Sequence, residues 1–144
     1  MKLTWSKQMS VGNKTLDSEH RKIFNLVNEV DRAIQTKDSV RFAEALVALE
    51  AATRKHFSNE SRLAQAIDYP FEQHHLEHQY ILKEMRLINN DLAGFKGKWS
   101  ESIAEHYFQF LSTWAVDHID EDDMKMKVML ETFPYDLKPD AIAG

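Results

Sequence analysis

The chain contains no cysteine. That absence excludes disulfides, iron–sulfur clusters, thiolate zinc sites and cysteine nucleophiles, and it fits a reducing compartment. Glycine and proline are scarce too, with four and three in 144 residues, so few places can break a helix. No apolar run reaches the length of a membrane span. The first residues, Met1-Lys2-Leu3-Thr4-Trp5, lack the apolar core of a signal peptide, and a cytoplasmic location is the expectation. Positive charge is also in deficit. The formal net charge of −5 disfavours a nucleic acid or an anionic membrane as partner.

What remains is the composition of a soluble globular protein, 43% hydrophobic and 28% charged. The length suits one domain over 1–144 with a core that needs no disulfide. Its expected parts are an N-terminal arm at 1–16, a helical bundle at 17–133 and a tail at 134–144.

Four periodic segments carry the bundle. Asp17-Ser18 can cap the first, whose stripe is His20, Ile23, Phe24, Val27, Val30 and Ile34. Lys37-Asp38-Ser39 is a polar break. The second stripe, Phe42, Leu46, Leu49, Thr53, His56, Glu60, Leu63 and Ile67, recurs in steps of three and four, the pattern of a helix–helix seam. Pro70 suits the first turn of a third helix. That helix carries Phe71, His74, His78, Ile81, Met85, Ile88 and Leu92 and closes at Gly94 and Gly97. Ser100 or Ser102 starts the fourth, with Ser102 and Glu105 at capping-box spacing. Its face runs from Ile103 through Tyr107, Phe110, Leu111, Trp114, Ala115, His118, Met126 and Met129 to a stop at Phe133-Pro134. Four helices of roughly 20 to 30 residues with short connections predict an all-α, up-down-up-down four-helix bundle behind a non-helical arm anchored by Trp5.

The chemistry lies in what interrupts these stripes. His20, His56, Glu60, His74, His78 and His118 all fall on faces that should be buried. Unsatisfied, they would cost several kcal/mol. One such histidine is ordinarily hydrogen-bonded in a core. Five on four helices must satisfy one another or share a metal. His56 and Glu60 are four apart, as are His74 and His78, so each pair points from one side of its helix. Imidazole and carboxylate suit iron, zinc, copper or manganese, and not calcium. So many ligands exceed one ordinary site and match two metals bridged by carboxylates.

The arrangement resembles the hemerythrin family, and within it the single-domain bacteriohemerythrins. The likeness rests on Trp5 and Val11-Gly12, on Asp17-Ser18-Glu19-His20, on His56-Phe57-x-x-Glu60 and on Tyr69-Pro70. It continues through His74-x-x-x-His78 and Trp114-x-x-x-His118-Ile119-x-x-x-Asp123. The resemblance implies two iron ions (Fe2+/Fe3+) with an oxo or hydroxo bridge. His74, His78 and His118 would hold one iron, His20 and His56 the other, and Glu60 and Asp123 would bridge them. It implies reversible dioxygen binding for storage, transport or delivery, without an enzymatic reaction. Nitric oxide and small anions are further expected ligands. Sensing through a separate partner is the alternative use.

An ideal helix carries Asp123 about 140° past the face of His118. Asp122 lies closer to that face, and geometry alone would choose it; the family's spacing selects Asp123. The residues expected to wall the ligand pocket are Ile23, Phe24, Phe57, Trp114, Ala115 and Ile119. Ala115 departs from the leucine general in similar proteins and removes volume beside the expected open site.

Other readings are weaker. His74-His75-Leu76-Glu77-His78 matches the H-x-x-E-H pattern of inverted zinc peptidases, with Glu77 as general base, but it leaves His20, His56, Glu60 and His118 unexplained. A ferritin-like oxidase needs two Glu-x-x-His motifs, and only Glu72-x-x-His75 is found. His75 and His106 are expected to face solvent.

Overall fold

The structure is a computed structural model that describes residues 3–94 and 100–139, apart from the side chains of residues 92–94 and 120–122. It is an all-α four-helix bundle behind a largely non-helical arm. The helices are α1 (Lys14–Gln35), α2 (Ser39–Ala66), α3 (Glu72–Gly94) and α4 (Glu101–Asp117). A π-helical segment, His118–Asp123, leads from α4 into α5 (Met124–Leu130). α1 packs against α2 and α4, and α2 against α3.

The stripes read from sequence are the buried faces of α1, α2 and α3; on α4 the buried face is rotated, with Ala104 and Phe108 buried and the expected Ile103, Tyr107 and Phe110 only half-buried. Ile23, Phe24, Val27, Val30 and Ile34 of α1 are buried, as are Phe42, Leu46, Leu49, Thr53 and Leu63 of α2 and Ile81, Met85 and Ile88 of α3. The hydrophobic core falls into two clusters. One gathers residues such as Ile23, Phe24, Val27, Leu49, Phe57, Ile81, Leu111 and Ala115. The other holds Val11, Leu16, Leu63, Ala64, Ile67, Met126 and Leu130. On α1, α2 and the α4–α5 run, the polar residues of interest lie in sequence between members of the two clusters.

Several helix ends differ from expectation. α1 starts at Lys14, and its cap is Asn13, whose side-chain oxygen accepts from Leu16 N–H at 3.1 Å. Asp17 is not a cap because it is spent on tertiary structure. Its carboxylate accepts from Ser10 Oγ at 2.5 Å, Val11 N–H at 2.9 Å and Tyr135 Oη at 2.8 Å, which ties the arm and the tail to α1. Asp38 caps α2 by accepting from Arg41 N–H. α1 and α2 both end on left-handed residues, Lys37 (φ 55°) and Asp68 (φ 57°). In each case the following amide reaches back five residues, Asp38 to the Ala33 carbonyl and Tyr69 to that of Ala64, the closure usually built on glycine.

Pro70 stands before α3 rather than in its first turn, since the Phe71 carbonyl accepts the His75 amide proton. Gly97, one of the two glycines expected to close α3, lies outside the described residues. Ser100, not Ser102, caps α4. The last helix stops at Leu130, three residues early, where Thr132 and Phe133 amides bond back in tight turns. The arm contains one 3-10 turn, Lys7–Met9. Trp5 anchors it as expected, half-buried against the larger core cluster with the Arg21 guanidinium 4.1 Å from its ring centroid.

The π segment changes which residues share a helix face. Its hydrogen bonds span five residues rather than four, so a residue and the fifth beyond it come onto one side. His118 and Asp123 are five apart, and the extra residue in this turn removes the offset that an ideal α-helix would impose.

Asp17→Ala strips the arm and tail of their shared acceptor and leaves the buried Val11 amide unpaired. The expected loss is about 2 kcal/mol or more of unfolding free energy, measured by urea denaturation. A change within about 0.5 kcal/mol, as for ordinary surface substitutions, would show that the latch contributes nothing.

Candidate metal centre

Each helix delivers its share of one polar layer. α1 supplies His20, α2 supplies His56 and Glu60 one turn apart, α3 supplies His74 and His78 one turn apart, and the π segment supplies His118 and Asp123. None of the seven is more than 6% exposed. Their donor atoms form two groups, His20 with His56, His118 and Asp123, and Glu60 with His74, His78 and Asp123. All seven residues expected as ligands are therefore brought together, and Asp123 belongs to both groups.

The carboxylates straddle the layer. Glu60 turns Oε2 toward His56 Nε2 (3.1 Å) and His118 Nε2 (3.4 Å), and Oε1 toward His74 Nε2 (3.2 Å) and His78 Nε2 (3.7 Å). Asp123 turns Oδ2 toward His20 Nε2 (2.5 Å), His118 Nε2 (2.9 Å) and His56 Nε2 (3.3 Å), and Oδ1 toward His74 Nε2 (3.5 Å). One detail differs from the resemblance. His118 Nε2 stands with His20 and His56, 3.0 Å from His56 Nε2, and not in the group of His74 and His78. The side chain of Asp122, the alternative to Asp123, lies outside the described residues.

The electrostatics follow from the crowding of carboxylates and imidazoles. Burial would push the Asp123 carboxyl up, but the His118 charge and hydrogen bonds within the cluster hold it well below the ordinary range. Burial pushes the His118 imidazole down, and Asp123 and Glu60 overcome this to raise it to about 9. His56 is likewise driven down by burial and lifted well above its usual value by Asp123, Glu19 and Glu60. Burial and the neighbouring His118 push His78 down to about 2, so its ring is neutral and keeps a free lone pair.

The donor set fits a metal. Five buried atoms, Glu60 Oε1 and Oε2, Asp123 Oδ1, His74 Nε2 and His78 Nε2, form no hydrogen bond with the described residues. Buried polar atoms without partners are costly, and here they converge on each other across a few ångströms. A cation between them satisfies them all. Nitrogen and carboxylate ligands suit a transition metal, and two groups sharing one carboxylate suit a binuclear site.

Aromatic rings hold the imidazoles from outside. Phe57 stacks on His78 with centroids 3.6 Å apart and planes 3° apart, Phe71 stacks on His74 at 5.1 Å, and Trp114 on His118 at 5.5 Å. Sequence reasoning missed Glu19 and Asn59. Glu19 Oε1 lies 3.0 Å from His56 Nδ1, and its other oxygen accepts from Asn59 Nδ2 at 2.6 Å. Both residues are adjacent in sequence to residues of the buried stripes, so helical periodicity puts them on the flank and gives no signal of a role.

Of the residues expected to wall a pocket, Ile23, Phe24, Phe57, Ala115 and Ile119 are buried in the larger core cluster, together with Trp114. Trp114 also borders an open surface cleft of about 380 Å³ between α3 and α4. Leu76, Glu77, Tyr80 and Ile81 line that cleft, and the buried His78 and His118 form its floor. Glu77 accepts from Gln73 Nε2 at 3.4 Å and stands outside both donor groups. His75 and His106 are exposed, as expected.

The chain belongs to the hemerythrin family: the model of the hemerythrin HHE cation-binding domain matches residues 11–130. It is 26% identical over 122 residues to a bacteriohemerythrin of Pseudomonas aeruginosa, across 84% of this chain and 76% of that protein. It is 28% identical over 127 residues to a hemerythrin-like protein of Naegleria gruberi, across 88% and 92% of the two chains. Its fold matches the crystal structure of a leucine-to-tyrosine mutant of hemerythrin with a TM-score of 0.78 and 21% identity, across 90% of this chain and 97% of that one. Hemerythrins are typically not enzymes, and the chain falls with them in this respect.

Two outcomes are expected from the geometry. Glu19→Ala releases His56 from its outer partner and should weaken metal binding about 10–100-fold, read by competition with a chelator of known affinity; an unchanged affinity would contradict the role. Asp123→Ala, which leaves Asp122 in place, should lower metal content with helical circular dichroism retained, whereas full metal content would show that residue 123 is not a ligand.

Proposed function

We propose that the chain is a bacteriohemerythrin that binds dioxygen reversibly at a non-haem di-iron centre, for oxygen storage, transport or delivery in the cytoplasm. The observation that carries this reading is a fully buried pair of carboxylates, each of which divides its two oxygens between opposing sets of imidazoles.

In this reading Glu60 and Asp123 would be shared by two irons, with His20, His56, His74, His78 and His118 as the remaining ligands. His118 Nε2 lies 3.4 Å from a Glu60 oxygen and 2.9 Å from an Asp123 oxygen, on the side of His20 and His56. Held by these residues, two irons would divide the five imidazoles unequally, which would leave one with fewer protein ligands and room for a small molecule. A ferrous pair supplies the two electrons that reversible oxygen binding borrows and returns.

The chain's own work is restraint. Glu19 and Asn59 fix the His56 ring from behind. Phe57, Phe71 and Trp114 lie flat against His78, His74 and His118 and limit their rotation. Ile23, Phe24, Ala115 and Ile119 keep bulk water from the layer. An interior that holds its ligands rigidly and excludes water favours binding over onward reaction.

Iron-loaded protein should contain two irons per chain by elemental analysis. After anaerobic reduction, oxygen should raise a visible absorption band that vanishes on deoxygenation. One zinc per chain and no response to oxygen would contradict the proposal. Ala115 is smaller than a leucine at a buried position near the layer, so Ala115→Leu should slow autoxidation several-fold, as water and anions lose access. An unchanged rate would show that access does not pass residue 115.

A further inference from the structure

Thr53 is completely buried on α2, yet its Oγ1 has no hydrogen-bond partner among the described residues. Threonine inside a helix commonly donates to the carbonyl one turn back, which here is that of Leu49, and Thr53 does not. Valine would fill the same space without a desolvation cost, so the hydroxyl calls for a partner from outside the fold.

Its place in the fold points to one. Thr53, His56 and Glu60 share one stripe of α2, and Thr53 is one turn above the ligand layer. The bundle alternates in direction, so the residues at the same level are Ile23 after His20, Ile81 after His78 and Ala115 before His118. All three are buried in the core cluster above the layer. Around Thr53 this level is therefore apolar, and Ala115 is the smallest side chain of the three.

We infer that the Thr53 hydroxyl donates a hydrogen bond to the small ligand admitted to this level, an acceptor-bearing diatomic or a small linear anion. The pocket is then not purely hydrophobic. It selects ligands with a free lone pair on the atom that faces α2. The inference rests on the di-iron reading and adds to it a residue that touches the ligand without touching metal.

Azide is the probe. Oxidised, iron-loaded wild type, Thr53→Val and Thr53→Ser are titrated with azide by visible absorption. Thermal unfolding of the three metal-free proteins is recorded alongside. Thr53→Val should retain two irons per chain and bind azide about tenfold more weakly, the loss of roughly one hydrogen bond. Thr53→Ser should bind like wild type. The metal-free Thr53→Val protein should melt at or above the wild-type temperature, because the hydroxyl has no partner in the empty fold. Equal azide affinity in wild type and Thr53→Val, both with two irons, overturns this inference and leaves the di-iron reading standing. A lower melting temperature of metal-free Thr53→Val also overturns it, since the hydroxyl would then be bonded within the fold. If Thr53→Val loses iron, the residue holds the ligand set instead, and the inference fails. Should Thr53→Val not fold, Thr53→Ala is read by the same criteria. A wild type that takes up no iron overturns both readings.

Discussion

The structure turns on two buried carboxylates. Glu60 and Asp123 are wholly removed from water, between two hydrophobic clusters, and face five imidazoles. Ionised groups in such a place are tolerable only when opposite charge is brought to them. In the chain alone this falls to the imidazoles, and His118 and His56 are accordingly lifted above their ordinary values. The remedy is incomplete, since both Glu60 oxygens and one of Asp123 still lack hydrogen bonds to the described residues. The layer is a place where the fold accepts instability so that a charged set of donor atoms is held together. The apolar clusters on either side supply the burial energy that makes this tolerable.

The same constraint explains features that look unrelated. Asp123 joins both donor groups from the face of the helix that bears His118, and an ordinary α-helix does not offer the fifth residue on that face. The π segment inserts the extra residue where it is needed and then hands the chain back to α5. Aromatic rings lie against three of the histidines, and Glu19 with Asn59 braces a fourth. The arm and tail are tied to the start of α1 through Asp17, a few residues before His20. Each device limits the freedom of a ligand-bearing element.

Much of this architecture is legible in the sequence, for identifiable reasons. Helical periodicity marks a buried face, and a polar residue on such a face stands out. His20, His56, Glu60, His74, His78 and His118 are visible on that ground, and the four helices with them. Asp123 is not, because its position depends on a departure from the ordinary helical period; only the resemblance to hemerythrins selects it. Glu19 and Asn59 are hidden because they act from the flank. Asp17 reads as a cap because a capping residue and a tertiary acceptor look alike in sequence, and what distinguishes them is Tyr135, more than a hundred residues away. Pro70 suits a helical first turn equally well until the left-handed Asp68 fixes where the chain turns. The placement of His118 among the other histidines is likewise a matter of tertiary packing.

The central claim is that Glu60 and Asp123 each serve two metals at once. The most direct test is a crystal structure of the iron-loaded protein with anomalous scattering recorded at the iron edge. The account predicts two anomalous peaks about 3.5–4 Å apart, as in other two-metal sites, with oxygens of both carboxylates on each. A single peak, or two peaks that share neither Glu60 nor Asp123, would contradict it.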